Sequence, residues 1–211
     1  MTPTAHPRLP GELWRPGEPL HDVPQHWEVQ ASTRPYESGY VSLRVDTLPS
    51  DDGSEFERAV VEHPGAVGVV ALDDAGRVLL LRQYRHAVEQ RLLQIPAGLR
   101  DVEGEPPVET ASRELAEEGQ VRAARWQELL TLLPSPGLTD ERWVVYLAED
   151  LAPAPHPEGF VPEHEEAAMS VVWVPLEEAV RAVFDGRLTD TMAAASLLAV
   201  RTIRNLRSDH P

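Results

Sequence analysis

Residues 98–121 read GLRDVEGEPPVETASRELAEEGQV, and the run Arg113-Glu114-Leu115-Ala116-Glu117-Glu118 inside them sets three carboxylates into five consecutive positions. Positions three and four apart on a helix share a face, so a helical reading aims Glu114, Glu117 and Glu118 the same way. Like charges at that spacing repel and weaken an isolated helix, which calls for a positive counterpart. A hard divalent cation such as Mg²⁺ is the simplest one, because it takes oxygen ligands from a few carboxylates plus substrate phosphates. Glutamate clusters are commonly no more than solvated helix faces, so the flanks decide. Pro96-Ala97-Gly98 precedes the segment, and a loop containing Gly104 leads to Glu105. Pro106 and Pro107 suit a helix start, and Gly119 suits its end.

Toward the N-terminus, Arg91 to Ile95 leads into this segment. Val78 to Tyr84 and the mostly apolar Ala66 to Leu72 read as strands joined by the hairpin turn Asp73-Asp74-Ala75-Gly76. Further back, Tyr40 to Asp46 and Phe56 to Val61 flank a turn at Leu48 to Gly53, inside a strand-rich unit from Trp27 to Glu62. Toward the C-terminus, Trp126 to Leu133 and Trp143 to Ala148 read as strands around the loop Pro134 to Glu141. Residues 150–162 are Pro-rich and irregular, and Met169 to Val174 is a strand. Helices are predicted from Pro175-Leu176 to about Phe184 and from about Asp190 to Leu206, separated by Asp185-Gly186. The expected organisation is a mobile Pro-, Gly- and His-rich tail over 1–25, a β unit over 26–62, and one domain over 63–211. Mixed strands with helices on both sides predict an α/β/α sandwich with a mixed sheet, preceded by a small antiparallel β unit.

Composition narrows the partners. The 211 residues carry 35 acidic against 19 basic side chains, a formal net charge of −16. Nucleic acid and anionic membrane both require basic patches, so neither is an expected partner. The absence of cysteine removes disulfide and thiol chemistry. Met1 to Pro10 has no apolar core of a signal peptide, and no apolar run approaches membrane-spanning length. A cytoplasmic protein is the resulting expectation.

The 98–121 segment resembles the signature of the Nudix hydrolases: a Gly, five residues, a Glu, seven residues, Arg-Glu, an aliphatic, any residue, Glu-Glu, any residue, Gly, an aliphatic. Glu105, Arg113, Glu114, Leu115, Glu117, Glu118 and Val121 fall in register. Two positions depart from it. Six residues separate Gly98 from Glu105, and Gly119 occupies the free position while Gln120 stands where Gly is expected. Either the helix ends a residue early or Gln120 adopts the left-handed conformation.

The resemblance implies hydrolysis of a nucleoside diphosphate linked to another moiety, with Mg²⁺ (Mn²⁺ as the alternative) as cofactor and a small-molecule substrate as partner. It makes Glu114 and Glu118 the main metal ligands, with Glu117 a third and the Ala97 carbonyl completing the shell. It pairs Glu105 with Arg113 to hold loop against helix, beside the structural Gly98. The base falls in Glu163-His164-Glu165-Glu166, with Glu166 first and Glu165 in reserve. A glutamate near cations stays ionised and is able to take a proton from water.

Features outside the signature resemble the ADP-ribose pyrophosphatases in particular. Gln83-Tyr84-Arg85-His86 resembles their QYR segment, which implies that Arg85 reaches phosphate or terminal ribose. Pro134-Ser135-Pro136-Gly137 resembles their SPG-type loop, and Leu99 and Gly137 join the substrate contacts. Tyr40 and Arg58 match positions that grip adenine across the interface of dimeric members, so a homodimer is implied. The products would be AMP and ribose 5-phosphate. Another nucleoside diphosphate sugar such as GDP-mannose, or a dinucleotide such as NADH, is the alternative substrate. An ADP-ribose-binding regulator without catalysis is the alternative of another class. The complete acidic set favours catalysis.

Overall fold

The computed structural model describes residues 4–5, 7–157 and 168–208, with side chains for 7–157 and 168–206. The run Ala66-Val67-Gly68-Val69-Val70-Ala71 forms β6 (Ala66–Ala71), buried at every position. A continuous apolar strand needs cover on both faces, and the fold provides it. β6 lies inside the sheet β10-β11-β6-β9, made with β10 (Val121–Leu132), β11 (Trp143–Pro153) and β9 (Ala97–Leu99). β11 runs parallel to β6, with Trp143 opposite Ala66 and Ala148 opposite Ala71. A second sheet, β12-β7-β8, joins β12 (Ser170–Pro175), β7 (Arg77–Arg85) and β8 (Gln90–Gln94). A 3₁₀ turn, His86–Val88, links β7 to β8.

Strand residues alternate between two cores. Val78 and Leu80 of β7 and Val145 and Leu147 of β11 pack with α2 (Leu176–Phe184) and α3 (Thr191–Ser208). Leu79, Leu81, Val144 and Tyr146 pack instead against Ala111 and Leu115 of α1 (Pro107–Gly119). This is the α/β/α sandwich expected from the sequence.

The third sheet is β3 (Ala31–Glu37), β4 (Ser42–Pro49) and β5 (Glu55–Glu62), antiparallel throughout. A polar network crosses it. Arg44 donates to Asp46 and Glu62, Arg34 donates to the same Glu62, and Ser32 donates to Asp46. The loop before β11 clasps its end: the Val61 amide donates to the Leu138 carbonyl, and Asp140 accepts from the His63 amide. Near the N-terminus a short pair, β1 (Thr4–Ala5) and β2 (Glu12–Leu13), lies within the span read as a tail.

Several boundaries differ from the sequence reading. β11 runs past Ala148 to Pro153 because β10 starts at Val121, just after α1, and supplies partners for Glu149, Leu151, Ala152 and Pro153. β3 has no apolar alternation and is exposed at all positions; backbone pairing with β4 makes it a strand. The end of α1 settles the two readings of the glycine shift. The helix includes Gly119, and Gln120 is left-handed at φ 53°, ψ 39°, its N–H donating to the Leu115 carbonyl. Gly119 does not need a positive φ; a Cβ there would sit 3.1 Å from Leu79 Cδ1, a tight contact that the leucine end would have to yield to. Among the described residues, no helix is long and apolar enough to cross a membrane.

Candidate active site

Pro106 has an extended backbone (φ −61°, ψ 139°) and Pro107 opens α1, as the fixed ring geometry favours. The loop before it is clamped to the helix. Glu105 accepts from Thr110 Oγ1 at 2.8 Å and from Arg113 Nη2 at 3.2 Å. The Arg113 bond, then the Thr110 bond, hold the Glu105 carboxyl below its usual range. Arg113 also reaches Glu114 at 2.7 Å and Glu117 at 3.4 Å. Burial opposes its charge, yet its acidic partners, Glu105 first, hold the guanidinium above its ordinary pKa.

The three signature glutamates part company. Glu114 is mostly buried, and burial pushes its carboxyl up to about 7; Arg113 pulls it back, while Glu117 and Asp101 add to the rise. Glu118 accepts the Ala97 amide N–H at 2.8 Å, tying α1 to β9. Glu117 turns to Arg113. Gly98 lets helix and strand approach, because a Cβ there would overlap the Glu114 carboxyl.

Glu114, Glu118, Ala97, Gly98 and Leu99 form part of the wall of a cavity of about 900 Å³. Arg85 and Gln94 contribute from β7 and β8, and Tyr40 from the loop between β3 and β4. Six sequence-predicted site residues besides Gly98 therefore meet in one cavity: Tyr40, Arg85, Ala97, Leu99, Glu114 and Glu118. Arg113, Glu105 and Glu117 support the helix from outside the wall. Arg58 is exposed, with its guanidinium 4.5 Å above the Phe56 ring, and Gly137 is exposed on its loop; neither lines the cavity. Glu165 and Glu166 lie outside the described residues.

The cavity also holds residues that no sequence motif marked. Trp143 donates from Nε1 to Glu141 at 2.6 Å, and both line the wall. Trp143 packs where Gly68 has no side chain. His63 Nδ1 accepts the Gly65 amide at 3.1 Å, which fixes that nitrogen as an acceptor. Glu141 was visible only as a loop acid, and Gln94 only as a polar residue in the run Arg91 to Ile95 that leads into the signature.

The donor set fits a hard cation. A buried carboxylate with a raised pKa, a second carboxylate on the same wall, and no sulfur ligand suit Mg²⁺ or Mn²⁺ over softer metals. Among the described residues, no three acidic or histidine side chains already converge in a metal-binding arrangement. Glu117 and Glu114 are drawn to Arg113, and Glu118 to the Ala97 amide.

A family model described as the NUDIX domain matches residues 62–194. The chain is 42% identical over 177 residues to the ADP-ribose pyrophosphatase of Mycobacterium tuberculosis (strain H37Rv), covering 84% of each chain. It is 32% identical over 157 residues to the ADP-ribose pyrophosphatase of Bacillus subtilis (strain 168), covering 74% of this chain and 83% of that one. The crystal structure of an ADP compounds hydrolase superposes with a TM-score of 0.73 at 23% identity, over 89% of this chain and 98% of that chain. This last likeness concerns the fold.

Proposed function

The chain belongs to the Nudix family, and on that premise we propose that it hydrolyses the pyrophosphate bond of ADP-ribose to AMP and ribose 5-phosphate. The observation that carries the reading is one cavity walled by Glu114 and Glu118 and also lined by Arg85 and Tyr40. Such a site brings together what a diphosphate needs: carboxylates for a cation, a guanidinium for phosphate oxygens, and an aromatic ring.

Glu114 and Glu118 hold a divalent cation, assigned as Mg²⁺ with Mn²⁺ as the alternative, and Glu117 and the Ala97 carbonyl are the further candidate ligands. When bound, the cation neutralises pyrophosphate charge and makes water a stronger acid. The protein's own residues do the rest. Arg85 orients the phosphate or terminal ribose, and Leu99 contacts the substrate. Glu105 and Arg113 keep the loop and α1 in register. Glu166, with Glu165 in reserve, accepts the proton from the attacking water; the acidic run over 163–166 supports this assignment.

A homodimer belongs to the proposal. Arg58 and Gly137 lie outside the cavity of their own chain, and β3 is exposed along its whole length. A second copy would let Arg58 and Tyr40 sandwich the adenine by stacking. Light scattering at micromolar concentration is expected to give twice the 23.4 kDa chain mass; a monomer removes the cross-subunit roles. The substrate is tested with ADP-ribose, GDP-mannose and NADH in Mg²⁺, with products separated by chromatography. AMP and ribose 5-phosphate from ADP-ribose at the highest kcat/KM is the expected result. Faster turnover of GDP-mannose or NADH contradicts the substrate assignment, and binding without turnover of any of them contradicts catalysis.

A further inference from the structure

We propose that Asp190 and Gln94 are positioning residues that aim the Arg85 guanidinium at the substrate through a hydrogen-bond relay anchored at the start of α3. The inference rests on the reading of Arg85 as a substrate contact. Three bonds build the relay. The Ala193 amide donates to Asp190 Oδ1 at 2.8 Å, Gln94 Nε2 donates to Asp190 Oδ2 at 2.7 Å, and Arg85 Nε donates to Gln94 Oε1 at 2.6 Å. Its members lie on β7, β8 and the turn before α3, with Asp190 96 residues from Gln94.

The chemistry of the groups fixes the direction of every bond. An ionised carboxylate only accepts and a guanidinium only donates, whereas a primary amide does both from opposite ends. Asp190 therefore selects the amide orientation in which the Gln94 NH₂ faces α3 and its carbonyl faces Arg85. The reverse orientation would set a carbonyl against a carboxylate and an NH₂ against the guanidinium. Gln94 is 9% exposed, so an unmade bond there is costly. Asp190 is itself held by capping α3. Arg85 forms no ion pair with any described carboxylate. Its Nε is committed to Gln94, which leaves its terminal NH₂ groups for an anionic ligand. Gln94 also sits three residues before Ala97, whose amide Glu118 grips, so the relay and the carboxylate wall share one short stretch of chain.

Reversing the polarity tests the relay. Asp190→Asn keeps an oxygen for the helix cap but presents an NH₂ to Gln94, which must flip and set its own NH₂ against Arg85. Gln94→Glu sets two carboxylates face to face. With both substitutions in one chain, the new amide at position 190 donates to the new carboxylate at position 94. That carboxylate also accepts from Arg85, so all three bonds return with one polarity exchanged. For ADP-ribose, each single variant is expected to raise KM about tenfold, the scale of one lost charge-assisted hydrogen bond, with kcat changed by less than about twofold. The double variant is expected to regain the thermal stability that each single variant loses but not the parent KM, because its carboxylate at position 94 pairs with Arg85 and competes with the anionic ligand. In an Arg85→Ala background, Asp190→Asn should leave KM unchanged, which a general structural role would not predict. Calorimetric ADP-ribose affinity and circular dichroism accompany each variant. If Arg85→Ala does not move KM or affinity, the substrate-contact reading fails and the proposal with it. If Arg85→Ala raises KM but Asp190→Asn leaves it at the parent value, the relay alone is overturned.

Discussion

Gly98 shows how a single missing side chain shapes the site. Its Cα faces the Glu114 carboxyl so closely that a Cβ would overlap it. Glu114 is buried there with a carboxyl pushed up to about 7. Arg113 compensates that buried charge only in part, and a bound cation would complete the compensation. Gly98→Ala must push Glu114 off its rotamer or part α1 from β9. Overpacking of this kind costs about 1–3 kcal/mol, and at about 1.4 kcal/mol per decade a loss carried fully into the transition state lowers turnover roughly 5- to 150-fold. Steady-state kinetics with ADP-ribose, alongside circular dichroism to show an intact fold, checks this. A Gly98→Ala protein with parental kcat would show that Glu114 need not hold its present place.

Among the elements, the β3-β4-β5 sheet is held by charge where apolar burial is thin. Glu62 accepts from Arg34 at 2.7 and 3.0 Å and from Arg44 at 2.7 Å. The Arg34 bond, then the Arg44 bond, bring its carboxyl down from 4.5 to about 2. The folded pKa is depressed, so the unfolded chain takes up a proton first as pH falls. The stabilisation is complete above about 4.5 and drains away toward about 2. The melting temperature of the parent should therefore exceed that of Glu62→Gln near neutral pH, and the gap should close across that acid window. A gap independent of pH would mean that the ion pairs contribute nothing. The same sheet marks a limit of sequence reading. Tyr40 to Asp46 alternates visibly and Phe56 to Val61 reads as its returning strand, whereas β3 has neither alternation nor burial and is recognisable only once β4 is beside it. At the end of α1 the opposite holds: the sequence framed both outcomes at Gly119-Gln120, and only backbone geometry chose between them.

In the molecule as a whole, two cores flank the paired sheets, and the site is walled by residues from β7, β8, β9 and α1. Strands such as Ala66–Ala71 and Arg77–Arg85 were legible because burial on both faces leaves near-continuous apolar runs. The carboxylate helix was legible because its ligands and clamp sit within one short segment. The remaining site was not, because it is assembled across the chain. Glu141 reaches the cavity from the loop that clasps β5 and Trp143 from the start of β11, and Gln94 meets Asp190 across 96 residues. No local pattern announces such meetings. Convergence of Glu114 and Glu118 on one ion beside a diphosphate is the central claim, since the proposed substrate, cofactor and mechanism depend on it. Crystals soaked with Mn²⁺ and a nonhydrolysable ADP-ribose analogue test it directly by anomalous scattering. The expected result is a manganese peak bound by Glu114 and Glu118 and by a phosphate oxygen of the analogue. A map with the analogue bound and no manganese touching either glutamate would contradict the account.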